Sequence, residues 1–174
     1  IKFIFVSVPS RESVGAYQVL KEEVESRIGR LNGKYTTLVN SPIHFIHGTV
    51  SFPELCALYA IAEVALVTPL MDGMNLVAKE YIACQEDEPG VLILSEFAGA
   101  AQELFSALTV NPYDAQSLAD ALKQALAMPK RERAERMAPM RARVTENDAG
   151  WWARTFIEDL ANAPAHGAAP ESAD

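Results

Sequence analysis

Five short apolar runs, at residues 3–8, 43–47, 64–68, 91–94 and 107–110, recur along the chain, and most of the segments between them carry apolar residues at helical spacing. Runs of this length, rich in Val, Ile and Leu, suit strands buried on both faces. Strands alternating with helices require right-handed crossovers, so the expected fold is α/β: a doubly wound, Rossmann-like parallel sheet with helices on both faces. Ligands of such sheets bind beyond the carboxyl ends of the strands.

The third run has the most informative continuation. Pro69 ends it, Gly73 marks a turn, and from Met74 no Gly or Pro occurs until Pro89. Leu76, Val77, Tyr81 and Ala83 recur at helical spacing, so a helix is expected to begin between Asp72 and Asn75, with either residue as its cap. A helix start at that edge presents unpaired N–H groups and the positive end of a dipole, which together suit an anion, most often a phosphate. Glu80 lies one turn after Leu76 and leans back toward the helix start, within reach of a ribose diol just beyond the phosphates. On the pattern alone, a plain turn with Glu80 facing solvent is the simpler reading.

Elsewhere the periodicity predicts a covering helix from about 14 to 28, closed by Gly29 or Asn32-Gly33, and a helix over 52–62 capped by Ser51. A short helix is expected at 98–101, where small residues let backbones approach closely. Helices then follow over 115–128, 130–145 and 148–162, with Pro129 and Pro139 breaking or bending the run. Residues 1–162 read as one domain and 163–174 as a disordered tail.

At 174 residues the chain can bury a full core without disulfides or a metal. Its formal net charge of -8 disfavours a nucleic-acid partner. No apolar run approaches the length of a membrane span, and no basic leader precedes the first one, so a cytoplasmic protein with Cys56 and Cys84 as free packing thiols is expected. His44 and His47, three apart on a strand, point to opposite faces and do not share a metal. Trp151 and Trp152 cannot lie on one face of the final helix; one is expected to pack on this domain and the other on a partner. The chain opens inside a strand without an initiator Met, so it reads as a piece of a longer protein.

Three stretches are more specific than their pattern. Asp72-Gly73-Met74-Asn75-Leu76-Val77-Ala78-Lys79-Glu80-Tyr81, then Leu94-Ser95-Glu96-Phe97-Ala98-Gly99-Ala100-Ala101, then Val110-Asn111-Pro112-Tyr113-Asp114 closely resemble the trehalose-6-phosphate synthase family of retaining glycosyltransferases. The resemblance runs from Val8-Pro9-Ser10-Arg11 to the last helix. It implies the C-terminal domain of a two-domain GT-B enzyme, with the domain's first strand and helix upstream and the last helix crossing to the N-terminal domain.

The resemblance also implies roles. Asp72, Gly73, Met74, Asn75, Leu76 and Val77, continuing into Ala78 and Lys79, would hold the glucose and diphosphate of UDP-glucose, many of them through backbone N–H groups, and Glu80 would hold the ribose. Arg11 would contribute to the phosphate of the acceptor, glucose 6-phosphate; its planar donor fork suits two phosphate oxygens at once. No residue here would act as nucleophile or base, in keeping with the lack of a Ser/His/Asp set or paired carboxylates. The family's mechanism, which the resemblance implies, would have the acceptor hydroxyl attack from the leaving-group side while a leaving phosphate oxygen takes its proton.

UDP-glucose is then a substrate, and no cofactor or metal is expected. The implied partners are the two substrates and the N-terminal domain of the same protein, with homo-oligomerisation left open and no membrane or nucleic acid. Two departures stand out: Met71 occupies a position where many relatives place Arg, and the family's donor-binding Arg and Lys fall upstream of Ile1. A synthase with another acceptor, such as a glucosylglycerol-phosphate synthase, and a catalytically silent regulatory homologue are the alternatives.

Overall fold

A computed structural model describes residues 1–9, 15–86 and 89–162. They fall into two compact units, Ile1–Leu55 and Cys56–Asp174. In the first, β1 (Phe3–Ser7) pairs in parallel with β2 (Ile43–His47), Phe3 opposite Ile43 and Ser7 opposite His47. The crossover between them is α1 (Gly15–Tyr35).

This helix overruns its expected end, since neither Gly29 nor Asn32-Gly33 stops it. Neither glycine adopts positive φ, so both serve as ordinary helical residues. Asn32 is used for something else: its amide donates to the Ile43 carbonyl at 2.9 Å and accepts from the Ile43 N–H at 3.0 Å, stitching α1 to the start of β2. His44 is exposed and His47 half-buried, as alternation along a strand requires.

Ser51 starts α2 (Phe52–Ile61) as expected, through a Glu54 carboxylate that accepts from the Ser51 N–H at 3.0 Å and its hydroxyl at 2.6 Å. The hydroxyl and then the amide hold the Glu54 carboxyl below its ordinary range.

The second unit carries β3 (Val64–Val67), β4 (Val91–Ser95) and β5 (Leu108–Val110), all parallel, with β4 in the centre. Every residue of β4 is buried, which is why its run VLILS does not alternate. Leu92 and Leu94 pack with Tyr81 and Ile82 of α3 (Leu76–Ala83) and with Met137 and Met140 of α5 (Lys130–Glu146). Val91 and Ile93 face the other way, onto Ala121 and Ala125 of α4 (Ala115–Ala127). Helices thus cover both faces of a parallel ladder. Each large aliphatic side chain so buried contributes about 1.5–3 kcal/mol.

Pro129 separates α4 from α5, whereas Pro139 lies inside α5 without ending it. Arg133 of α5 donates to the carbonyls of Leu126 and Met128, closing the end of α4. The final helix, α6 (Ala149–Asn162), buries none of its residues fully. Trp151 is 38% and Trp152 54% exposed, and Trp152 stacks on Phe156 of the same helix, at 5.4 Å between centroids. No helix among the described residues is long and apolar enough to cross a membrane. The tail at 163–174 lies outside the described residues.

Candidate functional site

The loop from β3 to α3 is held by backbone. The Asp72 N–H donates to the Phe97 carbonyl at 3.2 Å, the Asp72 carbonyl accepts from Gly99 at 2.9 Å, and the Met74 carbonyl accepts from Ala100 at 2.8 Å. Asp72 and Ala98 form a parallel bridge, so the loop after β3 and the loop after β4 run side by side beyond the sheet. The second loop carries the expected short helix as a 3-10 turn, Gly99–Gln102.

Gly99 makes this approach feasible. A Cβ there would stand 2.1 Å from the Gly73 carbonyl oxygen and 2.9 Å from its carbon. The smallness of Ala98-Gly99-Ala100-Ala101 is a packing requirement between two backbones.

Within the loop, Asp72 Oδ1 accepts from the Met74 N–H at 3.1 Å and Oδ2 from the Asn75 amide at 2.9 Å. Asn75 Oδ1 in turn accepts from the Ala78 N–H at 2.9 Å, making Asn75 the cap of α3 and Asp72 its brace. Asn75 has φ 78°, a conformation that Asn tolerates better than most residues. The loop is therefore pre-shaped by its own side chains.

The expected donor residues divide by what they offer. Gly73, Met74, Leu76 and Val77 are exposed at the helix mouth, Leu76 at 61% and Val77 at 46%. No side chain among the described residues takes the N–H groups of Leu76 and Val77, and they carry the positive end of the helix dipole, equivalent to roughly half a charge. Ala78 is fully buried and its N–H is taken by Asn75. Lys79 is turned to Glu103, Nζ to Oε2 3.0 Å, in a half-buried ion pair. Met71 is 89% exposed and brings no charge. What this mouth offers an anion is main-chain amide. Arg11 lies outside the described residues.

Glu80 follows on the second turn of α3 and accepts, through Oε2, from the Tyr59 hydroxyl at 3.1 Å. Burial, then the Glu80 charge, pushes the Tyr59 phenol up to about 12, so it stays protonated at neutral pH and acts as a donor. Sequence reasoning missed Tyr59: nothing local ties position 59 to position 80, and its one signal is a polar tip in the apolar stretch that follows Glu54 on α2. Cys56, one turn before Tyr59 on α2, and Cys84, just past the end of α3, are both free. Burial, then the neighbouring Cys56 thiol, pushes the Cys84 thiol up. Among the described residues, no three His, Cys, Asp or Glu side chains are grouped to hold a metal.

The model of glycosyltransferase family 20 matches residues 1–162. The chain belongs to glycosyltransferase family 20. Over 161 residues this family-20 chain is 48% identical to a trehalose-6-phosphate synthase from Enterobacter sp. (strain 638), covering 92% of the chain and 34% of the relative. Among solved structures it is similar to one from E. coli bound with UDP-2-fluoro glucose, with TM-score 0.90, 44% identity, and coverage of 95% of this chain and 37% of that one. It is also similar to an α,α-trehalose-phosphate synthase (UDP-forming) from Burkholderia xenovorans in complex with glucose-6-phosphate, with TM-score 0.88, 45% identity, and coverage of 92% and 36%. The chain spans about a third of the length of these relatives. The α/β GT-B expectation for the family-20 chain is borne out by this likeness.

Proposed function

We propose that the whole protein is an α,α-trehalose-phosphate synthase (UDP-forming). It transfers glucose from UDP-glucose to glucose 6-phosphate with retention, giving trehalose 6-phosphate and UDP, and this chain supplies the donor-binding half. The observation that carries the reading is the mouth of α3, where the amides of Leu76 and Val77 open the helix behind a loop braced by Asp72 and Asn75. It sits in a chain whose similar E. coli structure is bound with a UDP-sugar analogue.

In this scheme the diphosphate rests against those amides and Glu80 takes the ribose. The acceptor hydroxyl attacks the glucose anomeric carbon from the side of the departing UDP, the bond to the phosphate oxygen breaks, and that oxygen takes the hydroxyl proton. Charge grows on the phosphate as the bond breaks. Fixed N–H donors stabilise it without rearranging, and loss of one such donor raises a barrier by about 3 kcal/mol. The N-terminal half of the same protein supplies the rest of the cleft. The enzyme works in the cytoplasm, which suits its two free thiols.

Incubation of the full-length protein with UDP-glucose and glucose 6-phosphate is expected to release UDP and an α,α-1,1-linked disaccharide phosphate, read by NMR. Preference for glycerol 3-phosphate as acceptor would instead make it a glucosylglycerol-phosphate synthase, and no turnover with either would make it a silent homologue. Arg11→Ala is expected to raise the KM for glucose 6-phosphate by about tenfold or more, as loss of a charge-assisted contact does, and to leave that for UDP-glucose unchanged. Unchanged glucose 6-phosphate kinetics would remove Arg11 from the acceptor phosphate.

A further inference from the structure

Glu80 is exposed at the surface of α3, and a carboxylate on a flexible stem samples many rotamers unless something holds it. What holds it is Tyr59, whose hydroxyl donates to Oε2 at 3.1 Å. Tyr59 is itself fixed at both ends. Its ring meets the buried Tyr81 edge-on, with centroids 6.4 Å apart at 76°. Its backbone carbonyl accepts from the Gln85 side chain, which is buried and accepts in turn from the Gly90 N–H at 2.6 Å.

We infer that Tyr59 is a positioning residue for donor binding: by occupying one oxygen of Glu80, it fixes the carboxylate so that Oε1 is presented to the ribose hydroxyls of the nucleotide. The inference rests on the reading of Glu80 as the ribose contact. A neutral phenol suits the task because it gives one directed bond without neutralising the carboxylate, and so leaves the charge for the diol. An arginine there would take both oxygens.

The test uses the full-length enzyme with Tyr59→Phe, Glu80→Ala and the double variant, assayed with UDP-glucose and with analogues lacking the ribose 2′- or 3′-hydroxyl. Phe keeps the ring against Tyr81 and leaves the backbone bond to Gln85 intact. Tyr59→Phe is expected to raise the KM for UDP-glucose about fivefold, with kcat within twofold and the KM for glucose 6-phosphate unchanged. It is also expected to shrink the penalty for a missing ribose hydroxyl by a similar factor, and to add nothing in the Glu80→Ala background.

A raised KM with the hydroxyl penalty still at its wild-type value would mean that Tyr59 acts through packing, and would overturn the inference. So would wild-type kinetics in Tyr59→Phe while Glu80→Ala loses donor affinity. If Glu80→Ala itself leaves the donor KM and the hydroxyl penalty untouched, the ribose reading falls first and the positioning role falls with it.

Discussion

Gly99→Ala is expected to lower stability by about 2–3 kcal/mol and to weaken UDP-glucose binding in the same variant. The added methyl carbon would stand 2.1 Å from the Gly73 carbonyl oxygen and 2.9 Å from its carbon. Both are main-chain atoms, so no side chain can rotate away, and the two loops must separate by about an ångström to reach ordinary contact. Separation strains the bonds from Gly99 to Asp72 and from Ala100 to Met74, each worth about 0.5–1.5 kcal/mol. It also tilts the amides of α3 away from the place where a diphosphate would rest.

The measurement is urea unfolding, read as a lowered midpoint at unchanged slope, together with the KM for UDP-glucose in the full-length enzyme. Gly73→Ala is the control for stability. Among the described residues nothing lies within 4 Å of a Cβ there, and its φ is not positive, so its midpoint should match wild type. A Gly99→Ala protein with wild-type stability and donor kinetics would show that the loops are not locked.

Glu80→Ala is expected to raise the KM for UDP-glucose by about thirtyfold and to leave that for glucose 6-phosphate within twofold. Hydrogen bonds to a charged group contribute about 1.5–3 kcal/mol, and each 1.4 kcal/mol is tenfold. Removing the carboxylate also leaves the Tyr59 hydroxyl without its partner in a half-buried site. Initial-rate kinetics with each substrate varied in turn decide the matter, and equal losses for donor and acceptor would detach Glu80 from the ribose.

The strands and the start of α3 were legible because each depends on local chemistry: β-branched runs, a stop at Pro69, a turn, and an Asx side chain three residues before the amide it caps. The small residues at 98–101 announced close backbone approach for the same reason. What was not legible depends on distant packing. The expected end of α1 at Gly29 or Asn32-Gly33 failed because neither glycine takes the positive φ that closes a helix, and Asn32 was needed eleven residues on, at Ile43. Pro139 was absorbed into α5 for a similar reason: α5 buries Met137 and Met140 against α3 and β4, and the packing outweighs one missing bond. Tyr59 was missed because its partner is twenty-one residues away on another helix. The ion pair of Lys79 with Glu103, twenty-four residues on, is likewise a contact that no local pattern announces.

Amides do not titrate, and almost every amino acid carries one. In the proposed donor site the Leu76 and Val77 amides themselves therefore keep the same charge over the range in which histidines and carboxylates change theirs. A grip of this kind also tolerates drift in the side chains that bear it. Of the twenty ordinary residues, only proline could erase one of those contacts directly, and the first turn of a helix is where proline is otherwise welcome.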